Sequence, residues 1–284
     1  MKFPAYRVLL LAALGLGVGC ATPAMRAPDA ELTRHVRLAQ AAFERGALDR
    51  AIEAYGVALA RARRMDDGIN AARVAYNLGV CLAAAGRYAE ANELLVQARA
   101  GFGARGPEAA AVRLAQARTA RAEGRRDATA LAQESLAAGA EGATALQALA
   151  LLAEAAMRRG DLSAAEQMLR RAEKCARRVG DAAARAELEE VAARLALLRQ
   201  KAAAAAAHFD ARAYWLNQAR QYEAMAAALQ AAGDAHREAG HSRQAFDRYW
   251  RAAQSFAGGG HTAKARAAAQ TARTLAQQLG DQQL

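Results

Sequence analysis

The chain has 284 residues, a net charge of +11, 54% hydrophobic residues and only 5% aromatic ones. Much of the apolar content is alanine, only Pro107 among the four prolines lies beyond position 28, and no run of β-branched and aromatic residues alternates with period two. This excludes a β-rich fold and predicts an all-α chain, long enough for one extended domain or two ordinary ones. Without Lys2 and Arg7 the balance is still +9, a surface suited to anionic partners such as acidic proteins, lipid head groups or cell-wall polymer, or simply to solubility.

The first element is not a fold element. Lys2 and Arg7 precede an uninterrupted apolar and small stretch, "VLLLAALGLGVG", at 8–19. A basic start, a short greasy centre and small residues at the end describe a secretory signal. The centre is too short and too glycine-rich for a comfortable membrane span, which needs about 20 apolar residues. The segment ends in Gly17, Val18, Gly19 and Cys20. It resembles a bacterial lipoprotein signal, in which an apolar residue and two small ones precede a cysteine that is lipidated and becomes residue one. Gly17 stands where leucine is usual. The resemblance implies a signal peptide over 1–19, a lipid anchor on Cys20 and a tether over 20–30. Ala21, in place of an aspartate, implies the periplasmic face of the outer membrane. Two other outcomes stay open: cleavage after Ala24, giving a soluble exported protein, and an uncleaved inner-membrane tether.

From residue 31 onward the chain repeats. Glycines at Gly46, Gly86, Gly124, Gly160 and Gly240 stand 36 to 40 apart, with one double interval of 80 whose midpoint falls at Gln200 and Lys201. After the clearest glycines the apolar residues step by three and four. Such stripes are Leu48, Ala51, Ile52, Tyr55 and Leu59; Tyr88, Ala91, Leu94, Leu95 and Ala98; Leu162, Ala165, Met168, Leu169 and Ala172; and Ala245, Phe246, Tyr249, Ala252 and Phe256. Each is one face of a helix. A second helix precedes each glycine, as in Ala75, Leu78, Gly79 and Leu82, so the unit is an antiparallel helix pair turned by glycine.

Residues 75–98 carry Leu78, Gly79, Gly86, Tyr88, Ala91 and Ala98, with Ala75 in place of the usual tryptophan. They resemble the tetratricopeptide repeat, whose standard length is about 34 residues. The first, fourth and last glycine-centred units match more loosely, and those around 124 and 200 are degenerate. Breaks such as "RMDDG" (64–68), "RVGD" (178–181) and "QLGD" (278–281) lengthen the unit, as in the longer variety of kinesin light chains and several bacterial regulators. The resemblance implies a right-handed α-solenoid of five to six helix pairs over 31–257, then a capping helix over 258–284 that follows "GGG". It also implies a concave groove that holds an extended peptide or a helix of another protein.

No catalytic constellation emerges, and the chain reads as a non-enzyme without cofactor or metal. There is no P-loop, HExxH or CxxC. Cys81 and Cys175 read as small buried apolar residues. His236 and His241 are five apart, which splays them along a helix, so no metal site is expected there. The groove positions are Arg37, Gln40, Arg73, Tyr76 and Asn77 near the front, and Glu154, Arg158, Asp234 and Arg237 further back. Asn77 matches one position of the carboxylate clamp in some chaperone-binding tetratricopeptide domains, but Val36, Gln40, Ala111 and Ala115 do not supply the rest. Arg170, Arg171, Lys174, Arg177 and Arg178 form a basic helix face, which is either solvated or in contact with anionic lipid, peptidoglycan or an acidic partner. Nucleic acid is not expected, since interleaved aromatics are missing. The leading expectation is an envelope lipoprotein that recruits another protein through its groove. The alternatives are a regulator that binds cell-wall or anionic glycan through the basic face, and a cytoplasmic regulator whose N-terminus only mimics a signal.

Overall fold

A computed structural model describes residues 29–280, and every regular element among them is an α-helix. The signal segment, Cys20, all but the end of the tether and residues 281–284 lie outside the described residues. The helices fall into two compact units divided after Gly139. The first holds α1 (Ala30–Glu44), α2 (Leu48–Arg64), α3 (Gly68–Ala84), α4 (Tyr88–Phe102), α5 (Pro107–Ala122) and α6 (Ala128–Ala137). The second holds α7 (Gly142–Arg158), α8 (Leu162–Ala176), α9 (Ala182–Leu198), α10 (Ala202–Gln218), α11 (Tyr222–Glu238), α12 (Ser242–Gly258) and α13 (Thr262–Gln278). Odd-numbered helices open each pair; within the units each consecutive pair of helices packs together.

Local chemistry sets the boundaries. Asp29, Asp67, Asp161 and Asp181 each accept a hydrogen bond from the backbone N–H three residues on, at 2.7, 3.1, 2.8 and 2.9 Å. These bonds satisfy donors that the first helical turn leaves open. Pro107 occupies the first turn of α5, where its missing N–H costs nothing. At the other end, Gly86 takes φ +79°, Gly86 N–H donates to Ala83 O at 3.1 Å and Arg87 N–H to Leu82 O at 2.9 Å. This paired closure needs a left-handed residue, which glycine adopts without a Cβ penalty.

Gln200 makes the same closure at φ +56°, donating to Leu197 O at 2.8 Å while Lys201 N–H reaches Ala196 O at 2.9 Å. The unit that looks degenerate at this point is therefore a full pair, α9 and α10, of 17 residues each. The tertiary position of the turn overrides the weak preference of glutamine for that backbone region. The unit around Gly124 is truncated instead, with α6 only 10 residues long.

Packing explains the alanine content. Ala39, Ala51, Ala58, Ala91 and Ala98 are fully buried in the first unit, around Tyr55, Leu59, Leu78, Leu82 and Leu95. A β-carbon at Gly79 would sit 3.0 Å from Leu95 Cγ, so the small residue after Leu78 lets α3 and α4 approach. In the second unit Leu216, Leu229 and Phe256 pack with Ala213, Ala226, Ala252 and Ala268 across α10 to α13. Interiors at this density tolerate little change in volume.

Two expectations need correction. Cys81 is fully buried, but Cys175 is exposed, because it stands beside the buried stripe of Ala165, Leu169 and Ala172 on α8 and not on it. His236 and His241 are not splayed. The turn at Gly240 folds the chain back, which brings their Nδ1 atoms to 3.5 Å.

Candidate functional site

In the second unit, α10, α11 and α12 enclose an open cavity of about 250 Å³. Asp210, Ala213, Tyr214 and Asn217 step by three and four along α10 and form one wall. Met225 and Leu229, four apart on α11, form the floor with Ala213, and Arg248 and Arg251 on α12 form the second wall. Tyr214 is 56% exposed and rests edge-on against Trp215, with ring centroids 4.9 Å apart. Tyr222, equally exposed, precedes Met225 and Leu229 on the same stripe of α11. The Trp215 ring is held from elsewhere in the unit by the Arg185 guanidinium, 4.4 Å above its centre.

The two walls are tied together by charge. Arg248 donates through Nε to Asp210 Oδ1 at 2.6 Å and through Nη2 to Oδ2 at 2.9 Å. His236 Nε2 lies 3.2 Å from the same Oδ2, and Arg248 also donates to Asp247. Burial pushes the Asp210 carboxyl up, but the hydrogen bonds from Arg248 and His236 outweigh it and hold it below the ordinary carboxylate value. Arg248 is correspondingly held more firmly protonated by Asp210. A charge pair of this kind fixes geometry. What the cavity offers a ligand is an apolar floor, the Tyr214 ring, the exposed Asn217 amide and the half-exposed Arg251 guanidinium, 3.7 Å from Asp247.

The positions expected from the sequence lie on other faces. In the first unit Arg37 is exposed on α1, and Gln40 donates to Glu44 at 3.3 Å. On α3, Arg73 and Asn77 are half-buried, whereas Tyr76 is only 8% exposed, and burial pushes its hydroxyl up to about 12. In the second unit Glu154 lies 3.9 Å from Arg158 and 3.7 Å from Arg194. Arg194 continues to Glu190 at 2.7 Å, and Glu190 to Arg212 at 2.6 Å, so a ladder of alternating charge crosses α7, α9 and α10. Asp234 pairs with Arg237 at 3.3 Å and accepts a hydrogen bond from the Tyr249 hydroxyl. Arg170, Arg171 and Lys174 of α8, the cap residue Arg177 and Arg178 in the turn after it are all exposed. No group of three or more metal-ligating side chains occurs among the described residues.

Sequence reasoning passed over Tyr214, Asn217, Met225 and Arg251. The readable signal was the stripe Asp210, Ala213, Tyr214 and Asn217, masked by a turn with glutamine where glycine was sought.

No protein-family model matches the chain, and no curated protein matches it in sequence. Solved structures do resemble it. RapI in its apo form superposes with a TM-score of 0.53 at 12% identity, over 88% of this chain and 99% of that one. The structure of the APC/C hetero-tetramer Cut9–Hcn1 gives 0.54 at 12% identity, over 80% of this chain and 45% of that one. A tetratricopeptide repeat protein from Parabacteroides merdae gives 0.49 at 13% identity, over 86% and 93%. The chain has the all-α fold of tandem helix pairs.

Proposed function

We propose that this protein is a non-catalytic interaction scaffold that seats a segment of another polypeptide on the helix pairs of its second unit. The observation that carries this reading is the cavity between α10, α11 and α12, with its apolar floor and exposed Tyr214, Asn217 and Arg251. Tyrosine and arginine around an apolar pocket are the residue types that dominate protein recognition energetically. A pocket this small takes one or two side chains, so the partner contributes an apolar side chain to the floor and polar backbone or acidic groups to the rim.

The sequence adds a location to this proposal. The signal-like segment 1–19 and Cys20 support export and a lipid anchor, and Ala21 supports the periplasmic face of the outer membrane as the scaffold's location. Several acyl chains on one residue give stable anchoring where a single chain does not.

A photo-crosslinking residue placed at Asn217 in the full chain tests the pocket, with the same probe at exposed Glu53 as control. The expected result is an adduct at 217 that is absent at 53 and lost on combining Tyr214→Ala with Arg251→Glu. Identical adducts at both positions, or an adduct indifferent to those substitutions, reject the pocket as the binding site. Mass spectrometry of the mature N-terminus, for the natural chain and Cys20→Ala, tests the anchor separately. An intact initiator methionine in the cytosol rejects the envelope location and leaves the scaffold reading standing.

A further inference from the structure

The outward face of α8 holds a cluster of charge that the scaffold reading does not use. At about 100° per residue, Arg170, Arg171 and Lys174 of α8 and the cap residue Arg177 fall within an arc of about 120°, roughly opposite the buried Ala165, Leu169 and Ala172, and Arg178 follows in the turn after the helix. Glu166 and Glu173 stand at the edge of that arc. Glu166 is already engaged, by Arg170 at 3.2 Å and by Arg199 of α9 at 2.8 Å. Among the described residues, Lys174, Arg177 and Arg178 form no ion pair, and Arg171 reaches only the sulfur of Met168 at 3.6 Å.

Cations near a helix C-terminus often serve its unpaired carbonyls. Here that task falls elsewhere. Arg185 of α9 donates through Nε to Val179 O at 2.7 Å and through Nη2 to Ala176 O. The α8 cations are therefore left to solvent or to a partner.

The face also indicates what kind of partner it fits. A protein interface needs a dry core with apolar or aromatic anchors, and α8 carries no exposed large apolar residue. Single-stranded nucleic acid needs stacking aromatics, and the face has none. A plane of anionic head groups needs only closely spaced positive charge, worth about fivefold in partitioning for each lysine or arginine at the surface. We propose that the α8 face is a docking surface for an anionic lipid bilayer. The proposal rests on the envelope reading for access to a membrane, while the charge, exposure and lack of apolar anchors that define the surface do not depend on it.

The test uses the full chain with Cys20→Ala, so that no lipid is attached, and sedimentation with vesicles of pure phosphatidylcholine or of phosphatidylcholine with 30% phosphatidylglycerol. Insertion of the apolar N-terminal segment would be common to both vesicles, so the readout is the difference between them. The expected result is stronger binding to the phosphatidylglycerol vesicles. That preference should disappear near 0.5 M salt, where screening lengths shrink to a few ångströms. In the variant combining Arg171→Gln, Lys174→Gln, Arg177→Gln and Arg178→Gln it should fall several hundred-fold, to the phosphatidylcholine background, with an unchanged thermal unfolding midpoint. No preference for phosphatidylglycerol, a preference that survives the four substitutions, or tighter salt-sensitive binding to purified sacculi or soluble polyphosphate than to the vesicles would each overturn the proposal. Loss of the crosslink at Asn217 would bear on the pocket alone.

Discussion

Asp210 on α10 and Arg248 on α12 share two hydrogen bonds, although 38 residues and the whole of α11 separate them in the chain. Through this pair two successive helix pairs of the second unit are joined directly, with His236 of the intervening helix against the same carboxylate. Both partners are mostly buried, at 23% and 27% side-chain exposure. Removing Asp210 costs Arg248 both of these bonds and leaves it only the more exposed Asp247. Asp210→Ala is expected to destabilise the protein by about 1.5–3 kcal/mol, and Asp210→Asn by less, as measured by urea denaturation.

Two titrations bound the pH range of stability from opposite sides. Asp210 is held below its ordinary value of 3.8, so its contribution is complete above that pH and is lost as pH falls through the folded value. His208 is raised above 6.5 because Glu189 accepts its hydrogen bond at 2.8 Å, with burial opposing. Its contribution is complete below 6.5 and is lost as pH rises through the folded value. Unfolding free energy against pH should thus fall off on both sides. Asp210→Asn should flatten the acid limb only, and Glu189→Gln the alkaline limb only. A curve whose limbs are unmoved by these substitutions would assign the pH dependence to other groups.

Glycine to alanine substitutions should change sign with position. Within a helix alanine is ordinarily favoured by about 0.5–1 kcal/mol. At Gly56 of α2 a β-carbon would meet nothing within 4 Å, and Gly56→Ala should gain about that amount. At Gly101 of α4 it would lie 2.5 Å from Ala72 Cβ on α3. Gly101→Ala must push the helices apart, at a cost of about 1–3 kcal/mol. Paired thermal melts of the two variants decide the point.

The two cysteines of the helical region should differ in reactivity. Cys81 is buried in the first unit, and burial pushes its thiol up to about 12, which leaves almost no thiolate at neutral pH. Cys175 is exposed on α8. In a Cys20→Ala background, a maleimide reagent should label Cys175 within minutes. Cys81 should react only on the timescale of unfolding, as peptide mapping of the labelled protein will reveal.

The sequence alone determined the fold class and the turns of the clearest helix pairs. That information is local: apolar stripes at steps of three and four, aspartates that cap helix starts, and glycines such as Gly86 whose left-handed backbone closes a turn. Each acts within about one turn of chain, so it can be read without tertiary context. Tertiary structure decided the rest. It placed Gln200 in a glycine's conformation and completed the pair α9–α10, because packing on both sides fixed where the turn had to fall. It brought His236 to His241 by reversing the chain between them, and Asp210 to Arg248 across an intervening helix. The cavity of Tyr214, Asn217, Met225 and Arg251 draws on three helices whose angular registration depends on how alanine-rich faces settle against one another. With side chains that small, the stripe on any one helix is compatible with several rotations, and only mutual packing selects one.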